Sequence, residues 1–196
     1  MISQRFHSIL RHENSRTNYQ FIGFTHLLSG LSDILCERKG TVKMIEIGSY
    51  MGESTMLFAS TGLFSTIDVI EPHDGYEKFN EMHNHDWIDV KKEFENNIRN
   101  FDMITHHKKF SYEISNLFKD NSYDFIYIDA DHKYESVIKD VELYLPKLKK
   151  GGIIGGHDYC PYIWPDVVRA VNETIGEPDS VTWDTSWLKV LNEVRS

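Results

Sequence analysis

The stretch YDFIYIDA, at positions 123–130, is apolar on both of its alternating faces. A strand with one wet face alternates polar and apolar side chains, so this one must be covered from both sides. Strands of that kind belong to parallel sheets, and parallel neighbours need a crossover helix between them. The surrounding sequence supplies the helices. Residues 134–148 put Val137, Ile138, Val141 and Leu145 on one helical face, and 165–175 open on Pro165 and Asp166. Upstream, 41–48 and 65–72 read as two further strands, with one helix over 54–61 and another over 87–101. Residues 103–110 hold a weak third strand, 148–159 turn through two glycines into a short fifth, and 181–191 read as a closing pair of short strands. The expected fold class is α/β: a Rossmann-like, doubly wound, mostly parallel sheet with an antiparallel C-terminal strand pair and helices on both faces.

Residues 18–38 repeat apolar side chains at helical spacing (Phe21, Phe24, Leu27, Leu28, Leu31 and Leu35). Residues 1–40 are therefore expected as an N-terminal helical segment packing on the core, with a stripe that could serve a homo-oligomer. The net charge of −9 argues against nucleic acid and against an anionic membrane as partners. No run reaches the roughly 18 apolar residues of a membrane span, and the first 16 residues lack the apolar stretch of a signal peptide. Cys36 and Cys160 stand far apart and match no metal-ligand or disulfide spacing, so a reducing, cytoplasmic setting is expected.

Ligands of such sheets lie at the carboxyl ends of the strands. The first strand ends in EIGSYMGEST, 46–55. A dinucleotide fingerprint needs a bare glycine where Tyr50-Met51 stand, and no Gly-Lys-Ser/Thr follows as a phosphate loop requires. The turn suits a ligand without phosphates that needs close backbone contact. Glu46 would repel a pyrophosphate and attract an ammonium group. Glu71, ending the second strand, can accept hydrogen bonds from both hydroxyls of a ribose. Amine, ribose and no phosphate together describe S-adenosylmethionine.

The row E-I-G-S-Y-M-G-E-S-T resembles the first motif of class I S-adenosylmethionine-dependent methyltransferases. Residues 123–159, with I-D-A-D-H-K-Y and then G-G-I-I-G-G-H-D, resemble the small-molecule and sugar O-methyltransferase group. The DTSWLKV ending is similar to the last strand pair of that group. The resemblance implies that 41–196 form an S-adenosylmethionine-binding methyltransferase domain. It implies that Glu46, Gly48, Ser49, Tyr50, Gly52, Ser54 and Thr55 line the methionine part of the cofactor, with Asp129 beside them. Glu71 would hold the ribose, and Ser111 falls where relatives hold the adenine edge. The Gly-Asp pair expected before Ser111 is Lys109-Phe110 here.

Asp129, Asp131 and His132 follow the fourth strand, and His157 and Asp158 follow the fifth. Oxygen and imidazole donors in a loose site suit Mg²⁺ or Mn²⁺. By resemblance to metal-dependent methyltransferases, the metal ligands would be Asp129, His157 and Asp158. Asp131, His132 and His157 are the catalytic candidates, one of them taking a proton from the hydroxyl of a small-molecule acceptor. Asp129 and its neighbours could instead cap the next helix. His83, His85, His106 and His107 read as solvated, and Trp164, Trp183 and Trp187 as packing residues. The polar loop 73–88, with Tyr76 and Trp87, is the expected lid or acceptor region. Two rivals remain: a metal-dependent hydrolase or hydroxylase built on the Asp/His cluster, where two histidines and a carboxylate would suit iron, and a non-catalytic cofactor-binding subunit.

Overall fold

A computed structural model of the chain describes residues 18–38, 40–73 and 87–191. Most of the expected lid loop, Tyr76 included, lies outside them, as do His83 and His85.

Helix α1 (Asn18–Leu35) is followed by β1 (Lys43–Ile47), α2 (Glu53–Ser60) and β2 (Thr66–Ile70). Then come α3 (Trp87–Ile98), β3 (Ile104–His107), α4 (Ser111–Ile114) and β4 (Tyr123–Ile128). The remainder is α5 (Tyr134–Tyr144), β5 (Leu148–Gly156), α6 (Pro165–Ile175), β6 (Ser180–Val181) and β7 (Trp187–Val190). The sheet runs in the order β3-β2-β1-β4-β5-β7-β6. Strands β1 to β5 are mutually parallel, and β7 runs antiparallel to both β5 and β6. The chain reverses its direction of winding between β1 and β4, so their carboxyl ends open the crevice where ligands of such sheets bind.

Alternation along the strands divides the core into two layers. Met44, Phe125 and Tyr127 face α1, α2 and α3, packing on Phe24, Leu27, Leu31, Phe58 and Phe94. Ile45, Ile47, Ile126 and Ile128 face α5 and α6, packing on Val137, Val141, Val167 and Val171. Of the apolar stripe of α1, Phe24, Leu27, Leu28, Leu31 and Leu35 are buried within this chain, and among the described side chains of α1 Ile22 and Ile34 are exposed. Among the described residues no helix is long and apolar enough to cross a membrane.

Two expectations need correction. The fifth strand is not short; it has nine residues and contains the glycine turn. Tyr123 pairs with Leu148 and Phe125 with Ile153, so the extra residues of β5 bulge out around Gly151, whose φ is 72°. His106 and His107 are not solvated. At the short edge strand β3 their rings turn back onto the sheet, with His106 Nε2 2.8 Å from the Glu71 carbonyl oxygen and His107 Nε2 2.8 Å from Asp68 Oδ1.

The opposite, amino-terminal end of the sheet is tied by Asp124, which is 3% exposed. It accepts hydrogen bonds from Arg38 Nη1 (2.9 Å), Lys149 Nζ (2.8 Å) and the Lys43 backbone N–H (3.0 Å). The chemistry at the carboxyl ends therefore sits on a framework fixed from below.

Candidate active site

The turn after β1 is built on left-handed backbone: φ is 80° at Gly48, 51° at Tyr50 and 74° at Gly52. At Gly48 no side chain is admissible, because a Cβ would stand 2.2 Å from the Asp129 carbonyl oxygen across the crevice. The turn is clamped by Glu71, which is 2% exposed. Its Oε2 accepts the backbone N–H groups of Ser49 (3.0 Å) and Tyr50 (2.8 Å), and its Oε1 accepts that of His73 (3.3 Å). Glu46, fully buried, accepts the hydroxyls of Ser54 (2.5 Å) and Thr55. Ser54 and Thr55 therefore hold Glu46 with their hydroxyls and fix its carboxylate beneath the turn. Ser49 Oγ is buried with no hydrogen-bond partner. A buried unpaired hydroxyl beside a bare glycine, at the mouth of the crevice, fits a polar ligand pressed against the backbone.

Ser111 stands farther along the same rim. Its hydroxyl donates to Asp140 Oδ1, and its carbonyl accepts the Tyr144 hydroxyl at 2.8 Å. Burial pushes the Asp140 carboxyl up to about 6, against the pull of the Ser111 hydrogen bond.

The second half of the site lies over β4 and β5. Pairing of Ile128 with Gly156 brings the segments that follow them side by side. A small cleft there is lined by Asp129, Asp131, His132, His157, Asp158 and Trp187. Ligand atoms of Asp129, His132 and Asp158 come within 4.8 Å of one another. This set differs from the expected Asp129, His157 and Asp158: here His132 joins Asp129 and Asp158, while His157 lines the same cleft with Nδ1 3.1 Å from Asp158 Oδ1 and Nε2 toward Asp184. Register gave the neighbourhood but not the side-chain direction, which depends on a left-handed φ of 62° at Asp158.

Asp158 lies between two histidines, 2.7 Å from His132 Nε2 and 3.1 Å from His157 Nδ1. His157 Nε2 is 3.7 Å from Asp184 Oδ2, an ion-pair distance rather than a hydrogen bond. Burial works against a charged His157, yet Asp129, Asp158 and Asp184 outweigh it and its pKa is pushed up to about 10. The surrounding carboxylates thus favour the charged form of His157. Burial likewise opposes a charged His132, but the hydrogen bond to Asp158 and the carboxylates around it raise its pKa. Burial raises the Asp158 pKa, and its two histidine partners more than reverse this, holding it below the usual carboxylate range.

Asp131 accepts the Ser136 hydroxyl at 2.7 Å, so one oxygen is spent at the start of α5. Trp164 lies on the His132 ring, centroids 4.1 Å apart and planes 29° from parallel. Trp187 is buried core, donating from Nε1 to the His157 carbonyl at 3.3 Å, while Trp183 is 62% exposed. Sequence reasoning missed His73 and Asp184. His73 is buried, has a φ of 54°, and its Nε2 lies 2.9 Å from the Tyr50 carbonyl oxygen. Its only sequence signal is its place two residues after Glu71.

Comparison with known proteins places this arrangement. The sequence profile of the methyltransferase-domain family matches residues 45–159, which carry both halves of the site. An uncharacterised protein of Acanthamoeba polyphaga mimivirus is 29% identical over 164 residues, 78% of this chain; the chain spans 66% of that relative's length. Among solved structures, an O-methyltransferase from Bacillus cereus in complex with S-adenosylhomocysteine superposes with a TM-score of 0.56 at 18% identity, covering 96% of this chain and 91% of that one. A TDP-rhamnose 3'-O-methyltransferase of calicheamicin biosynthesis gives 0.59 at 16% identity, covering 97% and 93%. An S-adenosylmethionine-dependent O-methyltransferase from Thermotoga maritima gives 0.55 at 14%, covering 88% and 57%. At these identities the structural likenesses establish the fold, and the profile match over more than half of the chain establishes kinship. The chain belongs to the methyltransferase-domain family and carries the class I methyltransferase fold.

Proposed function

We propose that this protein is an S-adenosylmethionine-dependent O-methyltransferase acting on a small hydroxylated acceptor, a sugar, glycan precursor or secondary metabolite. The observation that carries the reading is the clamp between buried Glu71 and the N–H groups of Ser49 and Tyr50. It fixes a glycine turn and a carboxylate together at the crevice, where Glu71 can also accept ribose hydroxyls. Ser49 Oγ and the bare backbone at Gly48 fit the rest of such a cofactor. The TDP-rhamnose enzyme among the structural neighbours supports a sugar-like acceptor, and a net charge of −9 supports a small molecule over nucleic acid.

When bound, S-adenosylmethionine supplies an electrophilic methyl group on a sulfonium. The chain's task is to bring an acceptor oxygen into line and to remove its proton. His132 is the base of this reading. Its Nε2 faces Asp158, which selects the tautomer leaving Nδ1 to accept a proton and then stabilises the resulting imidazolium. Trp164 keeps the ring in one plane.

A second reading, favoured by the convergence of Asp129, His132 and Asp158, gives these three residues to Mg²⁺ or Mn²⁺. One histidine and two carboxylates suit a hard cation better than the two-histidine iron site of a hydroxylase. In that case Asp131 takes the proton, since His132 cannot be ligand and base at once.

Titration with S-adenosylhomocysteine tests the main reading. At about 100 times the dissociation constant it should stabilise the fold by roughly 2.7 kcal/mol, and Glu71→Ala should weaken binding by about tenfold or more. Absence of binding at millimolar concentration removes the proposal. Turnover in the presence of a chelator selects the metal-free base.

A further inference from the structure

The chemistry above uses His132 and Asp158, and leaves unexplained a carboxylate buried behind them. Asp184 sits in the turn between β6 and β7, its side chain 0% exposed. Its Oδ1 accepts the Thr182 hydroxyl and the Ser186 N–H, and its Oδ2 accepts the Ser186 hydroxyl at 2.9 Å. Among the described residues the charged group facing it is His157, whose Nε2 is buried and has no hydrogen-bond partner. A buried carboxylate without a counter-charge is costly. A neutral amide would keep the two bonds at Oδ1 and could donate to Ser186 Oγ where Oδ2 accepts from it, so the turn does not by itself require a charge at 184.

The groups form one line of alternating sign. His132 Nε2 meets Asp158 Oδ2 at 2.7 Å, Asp158 Oδ1 meets His157 Nδ1 at 3.1 Å, and His157 Nε2 meets Asp184 Oδ2 at 3.7 Å. Exposure falls along it, from 31% at the His132 side chain to 15% at Asp158, 12% at His157 and 0% at Asp184. The far end is immobilised. The Tyr159 N–H donates to the Thr185 carbonyl at 3.0 Å, joining the loop after β5 to the same turn. Gly23 of α1 presses on Asp184 so closely that a Cβ there would stand 2.4 Å from the Asp184 backbone nitrogen.

We propose that Asp184 is a positioning residue for the reacting end of the site: by anchoring His157 from its Nε2 side, it fixes which Asp158 oxygen is left to orient His132. The inference rests on the reading of His132 as the proton acceptor, and nothing in it needs Asp184 to touch a ligand. An unanchored His157 is free to rotate about its side-chain bonds. Asp158 then loses the partner that holds Oδ1 and can turn Oδ2 away from His132.

The test is the ¹⁵N–¹H imidazole spectrum of the full-length protein, wild type against Asp184→Asn, with S-adenosylhomocysteine binding measured in parallel. Asp184→Asn preserves shape and, with its amide oxygen in the Oδ1 position, the bonds from the Thr182 hydroxyl and the Ser186 N–H, while its amide nitrogen donates to Ser186 Oγ in place of the third. It should shift the His157 resonances and also those of His132, two charge pairs away, converting His132 from one hydrogen-bonded tautomer to a mixture. S-adenosylhomocysteine affinity should stay within about threefold, because Glu71 and the glycine turn are unaltered. A change confined to His157, with His132 as in wild type, overturns the proposal and leaves Asp184 a turn residue. If Asp184→Asn does not fold, His157→Gln breaks the same line nearer the site and leaves the turn whole; an unchanged His132 spectrum there overturns the proposal equally. Failure of the underlying reading has a different signature: His132→Ala that keeps full turnover removes the base, whatever Asp184 does to the spectrum.

Discussion

At the scale of single residues, the informative side chains are charged groups held inside. Burial pushes the Asp140 carboxyl up to about 6, with the Ser111 hydroxyl opposing and Asp131 adding to the effect. The folded chain holds this proton more tightly than the unfolded chain. Its contribution is complete below about pH 4 and is lost as pH rises through 6, where the buried carboxylate costs roughly 3 kcal/mol. Asp140→Asn, which keeps an acceptor for Ser111, should therefore gain on wild type between pH 4 and 7. Urea midpoints at several pH values measure this, and two parallel curves would show that Asp140 ionises without cost. The strand-end residues Glu46, Glu71, Asp129 and Asp158 were legible because a carboxylate after an apolar run is conspicuous. What each one binds was not. Glu71 reaches back across 21 and 22 residues to the N–H groups of Tyr50 and Ser49, and no periodicity encodes such a contact. Asp184 was hidden in a tail that reads as a strand pair, and its partner His157 follows the end of a different strand, β5.

At the scale of elements, the sequence predicts the helix over Pro165–Ile175 with the ends observed. Its proline start and apolar period agree with each other. The fifth strand was misjudged because Gly151 and Gly152 look like a turn, and only pairing with β4 shows that the strand resumes beyond the bulge. Two element contacts carry further predictions. Helix α1 meets the β6–β7 turn through Gly23, where a Cβ would also lie 2.5 Å from Asp184 Oδ1. Gly23→Ala should destabilise by about 1–3 kcal/mol, the usual cost of overpacking, although alanine favours a helix. A calorimetric melt above that of wild type would mean that α1 moves aside at no cost. At the other end, Asp124 joins Arg38, Lys149 and β1. Asp124→Ala strands those cations and should cost about 3 kcal/mol, visible as a lower denaturant midpoint. Addition of Arg38→Met should recover part of that loss, because it removes one of the unpaired charges.

Across the whole molecule, the sheet keeps two tasks apart. The ends of β1 and β2 hold the glycine turn and Glu71, and the ends of β4 and β5 hold the Asp/His cluster. Binding and reaction should therefore separate on mutation. Asp158→Asn should leave S-adenosylhomocysteine affinity within about threefold while reducing turnover by about 10²–10⁴-fold, the usual worth of a proton-transfer group. Equal losses in both would show one undivided site. The sheet's two borders have a consequence of their own. Its outer strands are β3 and β6, of four and two residues. A foreign strand needs a long row of open backbone donors and acceptors to add itself to a sheet, and among the described residues these borders offer only short ones. In concentrated solution, self-association of the folded chain should therefore be governed by exposed side chains such as Trp183 and Tyr162, and should respond to their replacement by polar residues. Fibrillar growth by strand addition requires the fold to open first.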